Sequence, residues 1–201
     1  MDSRWKKIVT DLRVPIHILN MSGAHSVACG VLVRAGTRDE RWPEEAGLAH
    51  ALEHMIFQGT RNFEDGKAMT AYLEDIGGAL DAGTDTESTF FCNQVPAKEV
   101  GRAIYVLSQQ IIHPCFNEER IKSEVGGVII QEIRMCRDDA KDYIQELSRE
   151  KTYGEHPLGR SILGTEKSVA NFERRHFLNF HSYYYNANNL DFIVVGRIES
   201  E

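Results

Sequence analysis

The chain has 201 residues, of which 42% are apolar, and this is enough to bury the core of a single domain. The net charge is −7 with acidic and basic residues interspersed, so the composition offers no basic face for nucleic acid. No apolar run could span a membrane, and the N-terminal stretch is too polar for a signal-peptide core. We therefore expect a soluble, cytoplasmic protein with no nucleic-acid or membrane partner.

The four cysteines form no recognisable motif. Cys29, Cys92, Cys115 and Cys136 lie far apart, without the C-x-x-C spacing of a zinc knuckle or a redox dithiol. Disulfides would require an oxidising compartment, so reduced and packed thiols are expected.

The first elements are predicted as a hairpin followed by a helix. Residues 16–19 and 26–34 are rich in β-branched side chains, and the turn-forming residues between them predict that the two strands pair. Pro43 and the two glutamates after it indicate a helix start, and this helix should run to about Phe57 and stop by Gly59.

The middle of the chain continues the mixture of helices and strands. Residues 67–75 read as a second helix closed by two glycines, residues 80–95 alternate as strands do, and residues 97–112 return to helical periodicity. A long helical stretch at 117–150 contains Gly126-Gly127, and each glycine costs roughly 1 kcal/mol in a helix interior, so a break or close packing is expected there.

The last segment repeats this change of element type. Residues 172–185 are predicted as a helix and residues 190–196 as a buried strand. Strands early, in the middle and at the end, with helices between them, predict an α+β fold with one mostly antiparallel sheet and helices packed on it. The whole chain, 1–201, is expected to form a single domain.

The residues that carry chemistry lie in the first long helix. His50 and His54 are four residues apart and point to one side, where two imidazoles can take adjacent corners of a zinc tetrahedron. Glu53 lies on the same side, close enough to take a proton from a water on the metal and to pass it to the leaving amine. This is the HxxEH spacing, the reverse of HExxH.

The rest of the helix supports this interpretation. Its aliphatic residues gather on the face opposite His50, Glu53 and His54, so the helix can bury that face without burying the polar residues. The aliphatic residues are Leu48, Ala51, Leu52 and Met55. The alternative is a solvated face with two idle histidines.

Glu132 is the candidate for a third zinc ligand, which is needed if water keeps the fourth position. Val125, Val128, Ile129 and Cys136 lie three, four or seven residues away, so the carboxylate is expected on a largely apolar stripe. Burying an unpaired carboxylate is too costly to be incidental, and a metal would resolve that cost. Pairing with a nearby arginine is the alternative, although those arginines lie off its helix face.

The sequence around these residues resembles the pitrilysin/insulinase family of zinc metallopeptidases, which includes beta-type mitochondrial processing peptidase domains. The resemblance covers nearly the whole chain. It rests on segments 47–60 (GLAHALEHMIFQGT) and 128–133 (VIIQEI), on 33–40 (VRAGTRDE), 77–82 (GGALDA), 156–160 (HPLGR) and 162–164 (ILG), and on Tyr184 with Asn188-Asn189.

The resemblance implies one zinc ion held by His50, His54 and Glu132, with Glu53 as general base, in a LuxS/processing-peptidase-like domain. It also implies that an extended peptide is added to an edge strand at Leu80, Asp81, Ala82 and Thr84. Asp81 stands where the family usually has asparagine, which should alter substrate preference or hydrogen bonding.

Two further departures from the family pattern bear on function. Val125-Gly126 occupies the place where the family has an acidic residue followed by a basic one, seven before the ligand glutamate, and Glu124 is adjacent but out of register. The chain also lacks the second, similar half that usually completes the peptide-binding chamber. A fragment, a natural short form that pairs with another subunit, and self-association each explain this.

Three functions are compatible with the sequence. The leading prediction is a zinc-dependent metalloendopeptidase that cleaves peptides or unfolded segments together with a second homologous half or subunit. The alternative is a non-catalytic peptide-binding or assembly subunit, although family relatives with that role usually lose the motif. Zinc used only for folding is disfavoured, because three ligands leave an open position whereas structural sites are usually closed.

Overall fold

A computed structural model describes residues 5–11 and 13–198 of the chain. Within them, six strands form one sheet in the order β1-β2-β6-β3-β5-β4, and only β2 and β6 run parallel. The strands are β1 (Trp5–Val9), β2 (Pro15–Asn20), β3 (Ser26–Val33), β4 (Ala79–Thr84), β5 (Thr89–Pro96) and β6 (Leu190–Gly196).

Eight α-helices lie between or after these strands in the described residues. They are α1 (Leu48–Ile56), α2 (Gly66–Glu74), α3 (Val100–Ile112), α4 (Glu118–Ser123), α5 (Ile130–Asp138), α6 (Ala140–Tyr153), α7 (Glu166–Val169) and α8 (Arg174–Tyr184). A π-helical segment, Glu124–Ile129, joins α4 to α5, and short 3-10 turns occur at Thr37–Asp39, Ala97–Glu99, Pro157–Gly159 and Ala187–Asn189. No helix in this part of the chain is both long and apolar enough to cross a bilayer.

The core lies between one face of the sheet and the helices. Along β3 every second side chain is buried, including Val27 and Val33, while Ala28 between them is exposed. The buried side chains join Leu52 and Met55 of α1 in one apolar cluster. The predicted α+β fold with a mostly antiparallel sheet is therefore confirmed.

The predicted hairpin between the first two apolar segments is wrong. β2 pairs with β1 and β6, and β3 pairs with β6 and β5, so β6 lies between the two predicted partners. The reason is the apolar run from Phe192 to Val195 in β6, which suits a central strand with neighbours on both sides. Strand β1, which pairs with β2 at the sheet edge, was not predicted, and its side chains are exposed.

Helix α1 begins later than predicted, at Leu48 rather than at Pro43. Gly47 precedes it with φ of 87°, a left-handed backbone conformation that prevents the right-handed helix from extending back toward Pro43. Glu40 supplies the cap from outside the helix: its two carboxylate oxygens accept the N–H groups of Gly47 (3.0 Å) and Ala49 (2.9 Å). The buried Glu40 carboxylate thereby satisfies two donors at the positive end of α1.

The predicted long helix at 117–150 is three helices and a π-helical segment. The break comes at Asp139, whose extended backbone separates α5 from α6 and whose side chain caps α6. Gly126 and Gly127 lie in the π-helical segment, and a Cβ atom at either would contact nothing within 4 Å. Close packing therefore does not explain these glycines.

Candidate metal centre

Helix α1 holds the HxxEH residues at one end of the core. Its aliphatic residues Leu48, Leu52 and Met55 are fully buried, and the opposite face points toward β4, the π-helical segment and Glu132 of α5. On that face the Nε2 atoms of His50 and His54 lie 3.2 Å apart. The helix periodicity thus brings the two imidazoles together as the sequence predicts.

Glu132 of α5 reaches this pair of histidines. Its Oε2 atom lies 3.6 Å from His50 Nε2 and 3.3 Å from His54 Nε2. A tetrahedral zinc ion with bonds of about 2.0–2.2 Å holds neighbouring ligand atoms about 3.3–3.6 Å apart. Two ring nitrogens and a carboxylate oxygen therefore have the chemistry and the spacing that zinc requires, and they are the one cluster of potential ligands that the described residues form.

The predicted burial of Glu132 is wrong, although Val125 and Ile129 of the expected apolar stripe are buried. Its side chain is 43% exposed and Val128, on the expected apolar stripe, is 47% exposed, so burial does not account for the carboxylate. The π-helical segment shifts the register of the residues before Glu132 relative to a regular helix. Hydrogen bonds from His50 and His54, rather than a buried stripe, hold the pKa of Glu132 well below its usual range.

Glu124 lies beside Nδ1 of His54, the ring nitrogen that does not face Glu132. Its Oε2 atom is 3.6 Å from His54 Nδ1, although Glu124 is eight residues before Glu132. In a regular α-helix, eight residues would turn the side chain about 80° away from Glu132, whereas seven leave about 20°. The π-helical segment absorbs one extra residue and returns Glu124 to the same face.

The two carboxylates also change the charge preference of His54. Burial disfavours its protonated form, but Glu124 and Glu132 outweigh burial and raise its pKa to about 9. The site thus favours a positive charge between these side chains. A carboxylate behind a ligand histidine also fixes the orientation of its ring.

Glu53 is not part of the three-residue cluster, and a strand residue holds it. Thr84, the last residue of β4, donates a hydrogen bond from Oγ1 to Glu53 Oε2 at 2.6 Å. The protein therefore holds one oxygen of the Glu53 carboxylate in place. The family resemblance implies a substrate-binding role for Thr84, and no sequence pattern indicated its contact with Glu53.

Strand β4 is an edge of the sheet, next to the candidate metal centre. Asp85 N–H donates to Ser88 O in the hairpin turn, and the antiparallel alternation then turns the backbone groups of Leu80, Ala82 and Thr84 outward, away from β5. Asp81 has the opposite orientation, because its backbone faces β5 and its side chain lies on the other face of the sheet.

Several of the other histidines that the structure describes make side-chain hydrogen bonds of their own. His17 bonds to Asp191 at 2.9 Å, His181 bonds to Ile111 O at 2.9 Å, and His156 accepts the N–H of Leu158 at 3.2 Å. None of them belongs to the candidate metal centre.

Comparison with known proteins identifies the family. The family model described as "Insulinase (Peptidase family M16)" matches residues 16–166. The chain belongs to this family. It is 35% identical over 182 residues to an uncharacterized zinc protease of Rickettsia bellii, covering 90% of this chain and 43% of that protein.

Other relatives extend the comparison. The chain is 32% identical over 178 residues to a probable mitochondrial-processing peptidase subunit beta of Arabidopsis thaliana, covering 89% of this chain and 33% of that protein. A protease from Helicobacter pylori has the same fold, with a TM-score of 0.90 at 20% identity over 98% of this chain and 47% of that one. The insulinase-family chain therefore spans less than half the length of these relatives.

Proposed function

We propose that residues 1–201 form the catalytic domain of a zinc-dependent metalloendopeptidase that cleaves peptides or unfolded protein segments. The observation that carries this proposal is the convergence of His50, His54 and Glu132 at 3.2–3.6 Å, with the Glu53 carboxylate beside but outside the ligand cluster. Three ligands leave a position open for reactants, which is typical of catalytic rather than structural zinc. The zinc protease names of the relatives point the same way.

The roles of the residues follow from their positions. One zinc ion, when bound, polarises the peptide carbonyl and makes water more acidic. Glu53 accepts the proton of the attacking water and delivers it to the leaving amine, while Thr84 fixes one of its oxygens. Glu124 holds the ring of His54 from behind.

The edge strand provides the place for substrate. Leu80, Ala82 and Thr84 turn their backbone N–H and C=O groups outward, so an extended peptide can pair with β4 by main-chain hydrogen bonds. Pairing at Thr84 brings the peptide backbone close to Glu53. Main-chain recognition of this kind admits many sequences, and therefore suits unfolded segments.

A second homologous half or subunit, or self-association, is part of the proposal. The chain covers 43% of the Rickettsia bellii relative and 47% of the Helicobacter pylori protease, so those proteins contain as much again beyond the matched region. No strand among the described residues pairs with the outer edge of β4, and a second half would enclose a peptide bound there. We also propose a cytoplasmic location, because the four cysteines are free and the thiol of Cys115 is exposed.

The test combines metal content with peptide cleavage. Wild type and Glu53→Gln are purified, alone and with a candidate second half or subunit, and zinc is measured by atomic absorption while cleavage of an unstructured peptide is followed by mass spectrometry. We expect about one zinc per chain in both proteins, and cleavage in wild type only.

The possible results separate the competing functions. Zinc binding without cleavage by any wild-type combination would leave a non-catalytic binding or assembly subunit. Equal cleavage by Glu53→Gln would exclude Glu53 as the base. Absence of zinc from both proteins would refute the metal centre itself.

A further inference from the structure

Asp81 makes an unusual contact on the edge strand. Its Oδ1 atom accepts the backbone N–H of the next residue, Ala82, at 2.9 Å. Ala82 is one of the three β4 residues whose N–H groups point outward, away from β5. The Asp81 side chain therefore occupies a donor that a peptide paired with β4 would use.

This contact affects the energy of peptide binding. A hydrogen bond to an ionised carboxylate is about twice as strong as one to a neutral acceptor. A peptide carbonyl that takes the Ala82 N–H replaces the stronger bond with a weaker one and releases a carboxylate beside the peptide. Peptide pairing is therefore less favourable here than at Leu80 or Thr84, and a cation that pairs with the released carboxylate would offset the difference.

No partner for that charge is present in the part of the chain that the structure describes. Asp81 is exposed and takes part in no ion pair there. Its cross-strand neighbour on β5 is Cys92, which is uncharged as a thiol. A basic side chain on an added peptide strand, directly opposite Asp81 and on the same face, would lie about 5 Å from it and supply the missing partner.

We propose that Asp81 is a specificity-determining residue that masks the Ala82 N–H and yields it most readily to peptides with a lysine or arginine opposite Asp81. This inference rests on the proposed addition of substrate to β4. It also explains how aspartate differs here from the asparagine expected from the family pattern: an asparagine oxygen can take the same N–H but carries no charge to be paired.

The experiment measures peptide binding without cleavage. The chain with Glu53→Gln, alone and with a candidate second half or subunit, is titrated into fluorescein-labelled, uncharged ten-residue peptides. At each position in turn the peptide carries lysine or its uncharged analogue norleucine. We expect lysine at one or two positions to lower Kd about threefold to fivefold, the effect of one cross-strand ion pair.

Matched variants assign that preference to a residue. Asp81→Asn should abolish it, and the norleucine peptides should bind at least as tightly as before. Asp85→Asn is the control, because Asp85 makes the same type of bond to the next N–H (Thr86, 2.7 Å) but lies beyond the end of β4. This control should retain the preference.

A second measurement examines the contact directly. In the free protein, Asp81→Ala should accelerate hydrogen exchange of the Ala82 amide, as followed by NMR, while neighbouring amides that bond to β5 keep their rates.

Three outcomes would overturn the proposal. These are an absence of lysine preference, a preference that survives Asp81→Asn, and an unchanged Ala82 exchange rate. If no peptide binds under any condition, the proposed substrate strand fails as well, whereas binding without charge preference overturns the role of Asp81 alone.

Discussion

Glu132 supplies the only negative charge among the three converging ligand atoms, so its replacement tests the metal centre most directly. In Glu132→Gln the neutral amide keeps the size of the side chain but is a poor zinc ligand, and we expect zinc affinity to fall by more than about 100-fold. Because the ionised carboxylate bonds to His50 and His54 in the metal-free protein, the substitution should also lower its unfolding free energy by about 1 kcal/mol. Competition with a chelator measures the affinity, and an unchanged value would remove Glu132 from the ligand set.

A substitution of Glu124 tests whether the contact with the non-ligating nitrogen of His54 supports the metal centre. Its carboxylate lies 3.6 Å from His54 Nδ1, where it holds the ring and favours the orientation that presents Nε2 to the metal. Glu124→Gln should weaken zinc binding or lower kcat about 10- to 100-fold without loss of folded protein. Glu119→Gln, on the exposed face of the preceding helix, removes the same charge and should leave both values unchanged. Equal effects of the two variants would show that only net charge matters.

At the scale of elements, the π-helical segment Glu124–Ile129 allows Glu124 and Glu132 to share a face. If the count of residues rather than the presence of glycine sets this register, Gly126→Ala should preserve zinc affinity. It should also raise the unfolding free energy by about 0.5–1 kcal/mol, because alanine loses less backbone entropy and its Cβ meets no neighbour within 4 Å. Urea denaturation of the metal-free protein measures this change.

Gly47 offers the contrasting substitution. Its φ is 87° and a Cβ there would lie 2.4 Å from Leu163 O, so Gly47→Ala should destabilise the start of α1.

One result would contradict the prediction for Gly126. If Gly126→Ala lowers the unfolding free energy or weakens zinc binding, the glycine itself is needed for the π-helical geometry.

These elements also show what the sequence could and could not predict. Helical spacing placed His50, Glu53 and His54 on one face because a four-residue separation is a local property. The position of Glu124 could not be found this way, since periodicity assumes a regular helix and the π-helical segment adds a residue to one turn. The only signal was Glu124, an acidic residue one place out of register, with two glycines shortly after it at 126 and 127.

Strand pairing was harder to predict than strand existence. The apolar pattern of 190–196 marked a buried strand, and the structure places β6 there. Nothing local indicated that β6 lies between β2 and β3, because that arrangement depends on contacts across about 170 residues of chain. The open edge at β4, on which the substrate proposal rests, follows from the same nonlocal order.

At the scale of the whole molecule, the candidate metal centre adjoins a groove with a strong charge bias. A cavity of about 450 Å³ extends from Glu132 between α5, α6 and the segment 161–163. Its acidic lining includes Asp142 and Glu146, and Arg149 is its one cation among the described lining residues. Asp139 also lines it but uses its carboxylate to cap α6, so Asp142 and Glu146 are the acidic groups best placed to contact a ligand.

This groove predicts a second contribution to substrate charge preference, separate from the edge strand. The double variant Asp142→Asn, Glu146→Gln should raise KM for a peptide with arginine near the scissile bond about threefold to tenfold, the effect of losing two exposed ion pairs. The value of kcat should hold, because neither residue contacts Glu53 or the ligands. Steady-state cleavage of paired arginine and citrulline peptides measures the difference. Asp138→Asn removes a charge at the end of the preceding helix, α5, outside the groove and serves as the control. An equal rise in KM for the citrulline peptide would show that the groove contributes shape rather than charge.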